Sequence, residues 1–578
     1  MIQASELLAQ STARAKEWLS GSIDEDTRKE VDAMMKREDP KLLIDSFYQT
    51  LEFGTGGLRG VMGAGSNCIN RYTIGSATQG LANYLKKSFP GQEIQVAVAY
   101  DSRNKSSYFA QVTADVFSAN GITVHLFPEL RPTPLLSFAI RYLRCQSGVV
   151  ITASHNPKEY NGYKAYWTDG AQLVPPHDKR VIEEVNAIAR FDQIRFAADT
   201  TKIKRIGPEV EKAYYEDVLK LIPRRESIRK QANISIVYSS LHGAGITMVP
   251  ECLKKLGFKN VTIIEEQRVP DGNFPTVESP NPEEHSAMTK ALQKAAAIDA
   301  DLVMATDPDT DRVGIGIRDS HGAFFLLNGN QALSLMIWFI LKNLNDNKGA
   351  YIAKTIVTTE LIDRMAEQLG VECVNTLTGF KYIAELIREN EGKKKFIVAG
   401  EESYGYMVGD FVRDKDAVSA CAFFAAMAAA AKQDGRSLFD WMVEMYREYG
   451  LFREGLVNVV RKGAEGAAQI KYMMERFRSS PPHVIGGQKV IRILDYQLGR
   501  ERNLLNGHEK HIELPKADVL QFYTWEGAKI SVRPSGTEPK IKFYVSVNLR
   551  LTNPENFELA MKHLGDKISD IEKDLMRL

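Results

Sequence analysis

The sequence predicts an α/β protein: three similar α/β domains with mixed, mainly parallel sheets, then a C-terminal α+β domain, arranged around a central cleft. Three observations predict it. The order strand, loop, helix, strand recurs three times between about residues 94 and 400, and such βαβ units build parallel sheets. After about residue 460 that order gives way to short strands and one closing helix. Finally, a loop rich in polar, reactive side chains follows a strand in each of the four parts, where open α/β sheets place their ligands. A length of 578 residues suits such a division, at about 100–200 residues per domain.

Taken in order, residues 1–45 read as a helical extension, with Leu7, Leu8, Ala15 and Trp18 near one face and Pro40 interrupting a second run. Domain I, 46–225, has the strand IQVAVAY, the loop DSRNKSS, a helix over 108–119 ended by Gly121, the strand ITVHLF, a helix after Pro132 and Pro134, and the strand GVVIT. Domain II, 226–327, repeats this with ISIVYS, a helix, VTII, a helix near 283–298 and DLVMA. Domain III, 328–458, has YIAKTIV, a helix, VECV, a TGFK turn with a helix, and KFIVAG. Domain IV, 459–578, has VIRIL, AKISVRP, IKFYVSV and a helix over 555–575.

Composition excludes several classes. Net charge is +1, from 74 basic and 73 acidic residues, without the basic excess of a general nucleic-acid binder. The five cysteines are scattered and form no CxxC pair, so reduced thiols in a cytoplasmic protein are expected. The N-terminus lacks the apolar core of a signal peptide, and the longest apolar stretches fall short of the roughly 18 residues of a membrane span. No membrane and no nucleic-acid partner is expected.

The loops after the strands carry the chemistry. After GVVIT comes ASHNP (153–157), with Ser154 expected to stand exposed at a strand end beside His155; taken alone, these residues read first as a turn. After DLVMA comes TDPDTDR (306–312), where Asp307, Asp309 and Asp311 alternate and would point one way in an extended loop. Three converging carboxylates repel one another unless a cation joins them, and hard oxygen ligands suit Mg²⁺; the alternative at this point is a solvated acidic loop. After KFIVAG come Glu401 and Ser403, able to bond vicinal hydroxyls or to make a polar turn. After AKISV comes RPSGTEPK (533–540), where Arg533, Ser535, Gly536 and Thr537 form either an anion nest or a polar turn. FGTGGLRG (53–60) sets Arg59 in a glycine-rich loop, though no GK[ST] follows to make it a P-loop.

Together and in this order, FGTGGLRG, TASHNP, DPDTDR, GEESYG and RPSGTEPK resemble the signatures of the α-D-phosphohexomutase family of phosphoglucomutases and phosphomannomutases, over about residues 53–544. The resemblance implies a heart-shaped, four-domain fold around a deep cleft. It implies that Ser154 is the phosphoserine and that Asp307, Asp309 and Asp311 bind Mg²⁺ with an oxygen on Ser154. Glu401 and Ser403 would hold sugar hydroxyls. Arg533, Ser535, Gly536 and Thr537 would hold the phosphate that is not reacting. Arg59, Arg312 and Lys164 (in NGYKAYW) are expected to add positive charge at the reacting group. Lys381, with Thr378 and Gly379 in TGFK, matches a loop that reads substrate orientation and is a candidate general acid or base. His155 either orients the phosphoserine or satisfies a turn. Pro308 and Thr310 stand where many members have glycine, and Gly56 where serine is frequent.

The implied reaction interconverts glucose 1-phosphate and glucose 6-phosphate through a hexose 1,6-bisphosphate, which also acts as activator. GEESYG and TGFK favour glucose, and the long chain is similar to the longer bacterial phosphoglucomutases; mannose phosphate is a second activity. A phosphopentomutase of the same family and a metal-dependent sugar phosphatase are the alternatives. A monomer or weak homodimer acting on small sugar phosphates is expected.

Overall fold

The structure, a computed structural model, describes residues 2–54, 57–461, 463–535 and 540–577. It divides into two compact units: Met1–Asn328 with Phe380–Gly435, and Gly329–Gly379 with Arg436–Leu578.

The first unit opens with helices α1 (Ile2–Ser20), α2 (Glu25–Met35) and α3 (Lys41–Phe47), with Pro40 at the N-cap of α3. They bury Trp18 edge-on against Phe47, Tyr72 and Phe191, with ring centroids 5.6, 5.8 and 5.0 Å away. Asp24, which caps α2, also accepts from the Tyr72 hydroxyl at 2.7 Å. The extension is thereby pinned to the helix Arg71–Ser88, which carries Tyr72.

The next strands are β1 (Gly57–Val61), β2 (Gln95–Tyr100), β3 (Thr123–Leu126), β4 (Ser147–Ile151), β5 (Tyr160–Tyr166) and β6 (Ile203–Arg205). They form one sheet in the order β1-β5-β4-β2-β3-β6. β4, β2, β3 and β6 run parallel, while β5 and β1 add to β4 antiparallel. The central strands are apolar throughout because helices cover both faces. On one such helix, Ser106–Ala119, Phe109, Val112, Val116 and Phe117 are buried. A second sheet, in the order β11-β10-β9-β7-β8, has the same plan. Here β7 (Ile236–Ser239), β8 (Val261–Ile263) and β9 (Leu302–Thr306) are parallel, and β10 (Val313–Arg318) and β11 (Phe324–Leu327) extend β9 antiparallel.

The chain then enters the second unit. There β12 (Ala350–Thr355) and β13 (Glu372–Thr376) pair in parallel through the helix Leu361–Gln368. It returns to the first unit with the helix Phe380–Asn390 and the antiparallel pair β14 (Lys395–Glu401) and β15 (Gly405–Val408). The helix Ala417–Gln433 comes next, buried from Ala417 to Ala431 and N-capped by Asp416, which accepts from the N–H groups of Val418 and Ser419.

In the second unit the rest of the chain forms an eight-stranded sheet, beginning with β16 (Leu451–Val460), whose pairing with Lys540–Leu549 runs its full length. The closing helix Phe557–Arg577 buries Leu564, Ile568, Ile571 and Leu575. The sequence boundary after 458 falls inside β16, so the change of fold comes earlier. It comes at Gly450, whose φ of +101° ends the preceding helix Leu438–Tyr449.

The sheets are mixed, as expected, but the sequence did not locate their antiparallel strands β5, β10 and β15. Each turns back directly after a reactive loop, so each such loop is a hairpin connection between two buried strands. Among the described residues, no helix is long and apolar enough to cross a membrane. All five cysteines are unpaired thiols.

Candidate active site

Ser154 leaves β4 in the turn that leads to β5. It does not stand exposed at a strand end, as the sequence suggested: it is only 3% exposed. Its hydroxyl donates to Asp307 Oδ2 at 2.8 Å and lies 3.1 Å from His155 Nδ1. Its φ of +52° is left-handed, which non-glycine residues seldom adopt.

Asp307, Asp309 and Asp311 occupy the turn between β9 and β10. They converge through a tight turn and not through alternation along an extended loop. The Thr310 N–H donates to the Asp307 carbonyl at 3.0 Å, and Thr310 has a φ of +60°. One oxygen of each carboxylate lies within 4.8 Å of the others. All three residues are buried, with exposures of 0, 0 and 2%.

Cations and amides hold the triad. Asp307 Oδ1 accepts from the N–H groups of Asp311 and Arg312, each at 3.1 Å. Lys164, mid-strand in β5, donates to Asp309 at 2.7 Å and to Asp311 at 3.4 Å. Lys415 lies 3.2 Å from Asp311 and 3.3 Å from Asp414. Asp414 in turn accepts from the Tyr166 hydroxyl at 2.7 Å and from Gln172 at 3.0 Å. From the first turn of the helix Thr133–Tyr142, Thr133 donates its N–H to the Asp309 carbonyl at 2.9 Å and its hydroxyl to the carboxylate at 3.1 Å.

Burial, then repulsion from Asp309 and Asp311, raises Asp307 well above the usual carboxylate range. Burial acts the same way on Asp311, but Lys415 and Lys164 outweigh it and hold that carboxyl low. Burial, then the cations of Arg312 and Arg59, pushes His155 well below its ordinary value, so its ring is neutral. Two buried carboxylate oxygens, Asp309 Oδ1 and Asp311 Oδ1, have no hydrogen-bond partner among the described residues. Buried polar atoms are rarely left so. Orphaned hard oxygens converging with a third carboxylate fit a divalent metal ion.

The other expected residues divide between the two units. Burial acts to lower the Arg312 guanidinium, but Glu283, with which it pairs, and then Asp311 hold it above its ordinary value. Arg59 is exposed on β1 and donates to Asn156 Oδ1 at 3.2 Å. Gly57 is required by packing: a Cβ there would sit 1.7 Å from the Tyr163 carbonyl oxygen on β5. Glu401 is buried at the end of β14, and Ser403 lies in the next turn, where the Tyr404 carbonyl accepts from the Val313 N–H at 3.1 Å. Lys381, on the helix Phe380–Asn390, has its ammonium 5.0 Å above the Tyr382 ring; burial pushes it down. These all belong to the first unit.

Thr378, Gly379, Arg533 and Ser535 belong to the second. Thr378 and Gly379 close its first segment, and Gly379 has a φ of +120°. Arg533 lies on the strand Lys529–Pro534, and the Ser535 N–H donates to the Lys540 carbonyl at 2.7 Å, closing the loop neck. Gly536 and Thr537 lie outside the described residues.

The sequence reading missed Thr133, Asp414 and Lys415, and also Arg103, which donates to the carbonyls of Ser154 and Asn156, with Asp101 beside it. Two signals were present: DSR directly succeeds the strand β2, and RDKD comes after β15.

A buried serine hydroxyl bonded to one of three convergent aspartates, with two buried lysines beside them, is an arrangement suited to phosphoryl chemistry next to a divalent metal ion. Comparison with known proteins makes the class specific. Profiles described as phosphoglucomutase/phosphomannomutase α/β/α domains I, II and III match residues 50–191, 212–321 and 328–449. The phosphoglucomutase of Staphylococcus haemolyticus is 38% identical over 550 residues, covering 93% of this chain and 99% of that protein. That of Staphylococcus epidermidis is 38% identical over 523 residues, covering 90% and 94%. The chain belongs to the phosphoglucomutase/phosphomannomutase family and is an isomerase of the intramolecular phosphotransferase type, acting on sugar phosphates. Solved structures agree in fold. A putative phosphomannomutase from Thermus thermophilus has a TM-score of 0.66 at 22% identity, covering 90% of this chain and 99% of that one. The parafusin phosphoglucomutase of Paramecium also has a TM-score of 0.66, at 18% identity, covering 91% and 96%.

Proposed function

We propose that this chain interconverts glucose 1-phosphate and glucose 6-phosphate, with Ser154 as the phosphoryl carrier and a hexose 1,6-bisphosphate formed and consumed in each turnover. The observation that supports it best is the 2.8 Å bond from Ser154 Oγ to Asp307, beside the orphaned oxygens of Asp309 and Asp311. The staphylococcal relatives, named phosphoglucomutases, support glucose; mannose phosphate is a second substrate of the same reading.

Phosphoryl transfer depends mainly on positioning and charge neutralisation. Asp307, Asp309, Asp311 and an oxygen on Ser154 would hold Mg²⁺, which when bound neutralises the transferring group. In the forward half, the bond from phosphorus to Ser154 Oγ breaks as one forms to the 6-hydroxyl, which loses its proton. In the return half, Ser154 Oγ gives up its proton and attacks the 1-phosphate, and the bond to the C1 oxygen breaks as that oxygen takes up a proton. Asp307 aims the free serine hydroxyl. His155, uncharged beside Oγ, orients it without adding charge. Lys164, Arg312 and Arg59 balance the phosphoryl charge. Lys381, with a lowered pKa, exchanges the substrate proton and reads orientation with Thr378 and Gly379. Glu401 and Ser403 hold sugar hydroxyls, and Arg533, Ser535, Gly536 and Thr537 hold the phosphate at rest. Burial of Ser154 keeps water from the phosphoserine.

The domain division is part of this reading: 1–45, 46–225, 226–327, a third domain ending at Gly450 instead of 458, and the remainder. So are a monomer or weak homodimer and a cytoplasmic location, for which five unpaired thiols are the support.

Phosphorus NMR of glucose 1-phosphate with Mg²⁺ and a trace of glucose 1,6-bisphosphate tests it. Glucose 6-phosphate should accumulate without free phosphate, and Ser154→Ala should abolish the conversion. Release of inorganic phosphate would make the protein a phosphatase, and full activity in Ser154→Ala would put the carrier elsewhere.

A further inference from the structure

One side chain far away in sequence holds the turn that carries Ser154. Arg103 lies just beyond β2, 3% exposed. Its Nη2 donates to the Ser154 carbonyl at 2.7 Å and also to that of Asn156. Its Nη1 donates to the carbonyls of Pro157 at 2.8 Å and Tyr160 at 3.0 Å. The four terminal N–H bonds of the guanidinium thus all go to one turn, and only a planar fork with fixed donors can serve four acceptors at once.

Arg103 is itself held from behind. Its Nε lies 3.5 Å from Asp101 Oδ2, and its own N–H donates to Asp101 Oδ1 at 2.9 Å. The Ser106 hydroxyl donates to that same oxygen at 2.7 Å. The Phe274 ring covers the guanidinium at 5.1 Å, and a Cβ on Gly272 would meet the Asn104 nitrogen at 2.2 Å. Ser154, at the other end, holds a φ of +52°, a conformation that persists only where its surroundings over-determine it.

We infer that Arg103, braced by Asp101, is a positioning residue for the transfer step: by clamping the carbonyls of 154, 156, 157 and 160 it fixes the direction of Ser154 Oγ toward Asp307 without touching substrate. This rests on the reading of Ser154 as the carrier. Lysine keeps the charge but cannot span four carbonyls. A serine oxygen misplaced by a fraction of an ångström loses rate, while sugar binding, made by other residues, is unchanged.

The test is Arg103→Lys in the full chain, with Arg103→Ala as a second variant. In Arg103→Lys, kcat should fall about tenfold to a hundredfold, as misplacement near a reacting atom does, with KM for glucose 1-phosphate within about twofold of wild type. Phosphoenzyme formation from glucose 1,6-bisphosphate, read by intact mass, should slow by the same factor. In Arg103→Ala, added guanidinium ion should restore part of kcat. Wild-type kcat in Arg103→Lys overturns the inference, and so does a loss of kcat that only tracks a smaller folded fraction. If Arg103→Ala does not fold, Arg103→Lys decides alone. Undiminished mass gain in Ser154→Ala would instead sink the carrier reading, a result distinct from either.

Discussion

Asp307→Asn should stabilise the metal-free protein and at the same time remove its response to metal. Asp307 is buried, and its bonded partners are two backbone N–H groups and a serine hydroxyl, none of them charged. Carboxylate oxygens of Asp309 and Asp311 lie within 4.8 Å. At an effective dielectric of about 20, each such pair repels by roughly 3.5 kcal/mol at that distance. Arg312 offsets part of this, and Lys164 and Lys415, paired with Asp309 and Asp311, neutralise part of the repelling charge, which leaves about 1–3 kcal/mol for the neutral amide to recover. For a domain of 150–250 residues that raises the melting midpoint by between about 2 and 12 °C.

Metal acts in the opposite direction. At 100 times its Kd, metal stabilises wild type by about 2.7 kcal/mol; with one ligand charge gone and Kd raised about a hundredfold, the same concentration gives only about 0.4 kcal/mol. The pH dependence has a definite sign. A carboxyl whose folded pKa is raised destabilises the folded state as pH climbs from its ordinary value near 3.8 through that raised value. The gain in Asp307→Asn should therefore be small near pH 4 and largest at neutral pH. Thermal scans with EDTA and across a Mg²⁺ titration measure all of this. A metal-free variant that melts below wild type, or one whose midpoint rises with Mg²⁺ as much as wild type, refutes the electrostatic account of the triad.

Three other perturbations probe the same kinds of interaction. Lys164→Met, which strips Asp309 and Asp311 of a buried partner, should cost about 3–5 kcal/mol without metal and regain part of it in excess Mg²⁺; equal midpoints with and without Lys164 would show the pair is not needed. Glu454, on β16, is raised to about 7 chiefly by burial, so the second unit should lose stability as pH rises from about 4.5 through 7. Glu454→Gln should flatten that slope, and an unchanged slope in urea melts taken across this range counts against it. Trp18→Ala should cost about 3–5 kcal/mol as a buried aromatic and free α1–α3 from the first sheet; limited proteolysis should then remove residues 1–47 early, and wild-type resistance of that segment would contradict the docking.

The sequence by itself determined what depends on neighbours along the chain. Central strands such as VAVA and GVVI announce themselves, because a parallel strand covered on both faces must be apolar throughout. Helices such as Ser106–Ala119 show their apolar period, and each reactive loop could be located because it comes directly after such a strand. The chemistry of ASHNP and DPDTDR was legible for the same reason, since residue types and order carry it.

Only tertiary structure decided which charges are buried. Lys164 in YNGYKAY makes β5 look like a polar loop, and it lies inside a strand only because Asp309 and Asp311, some 145 residues on, receive its ammonium. Thr133 is silent in sequence, and DSR and RDKD show no more than polar loops after strands, because the acceptors of Arg103 and the Asp311 partner of Lys415 are distant in the chain and a polar side chain shows no period. Ser154, likewise, is 3% exposed and not open at a strand end, because Asp307 and the turn clamped by Arg103 close over it. A charged group leaves water only where an opposite charge or a fixed set of hydrogen bonds awaits it, and that arrangement exists only once the sheets have come together.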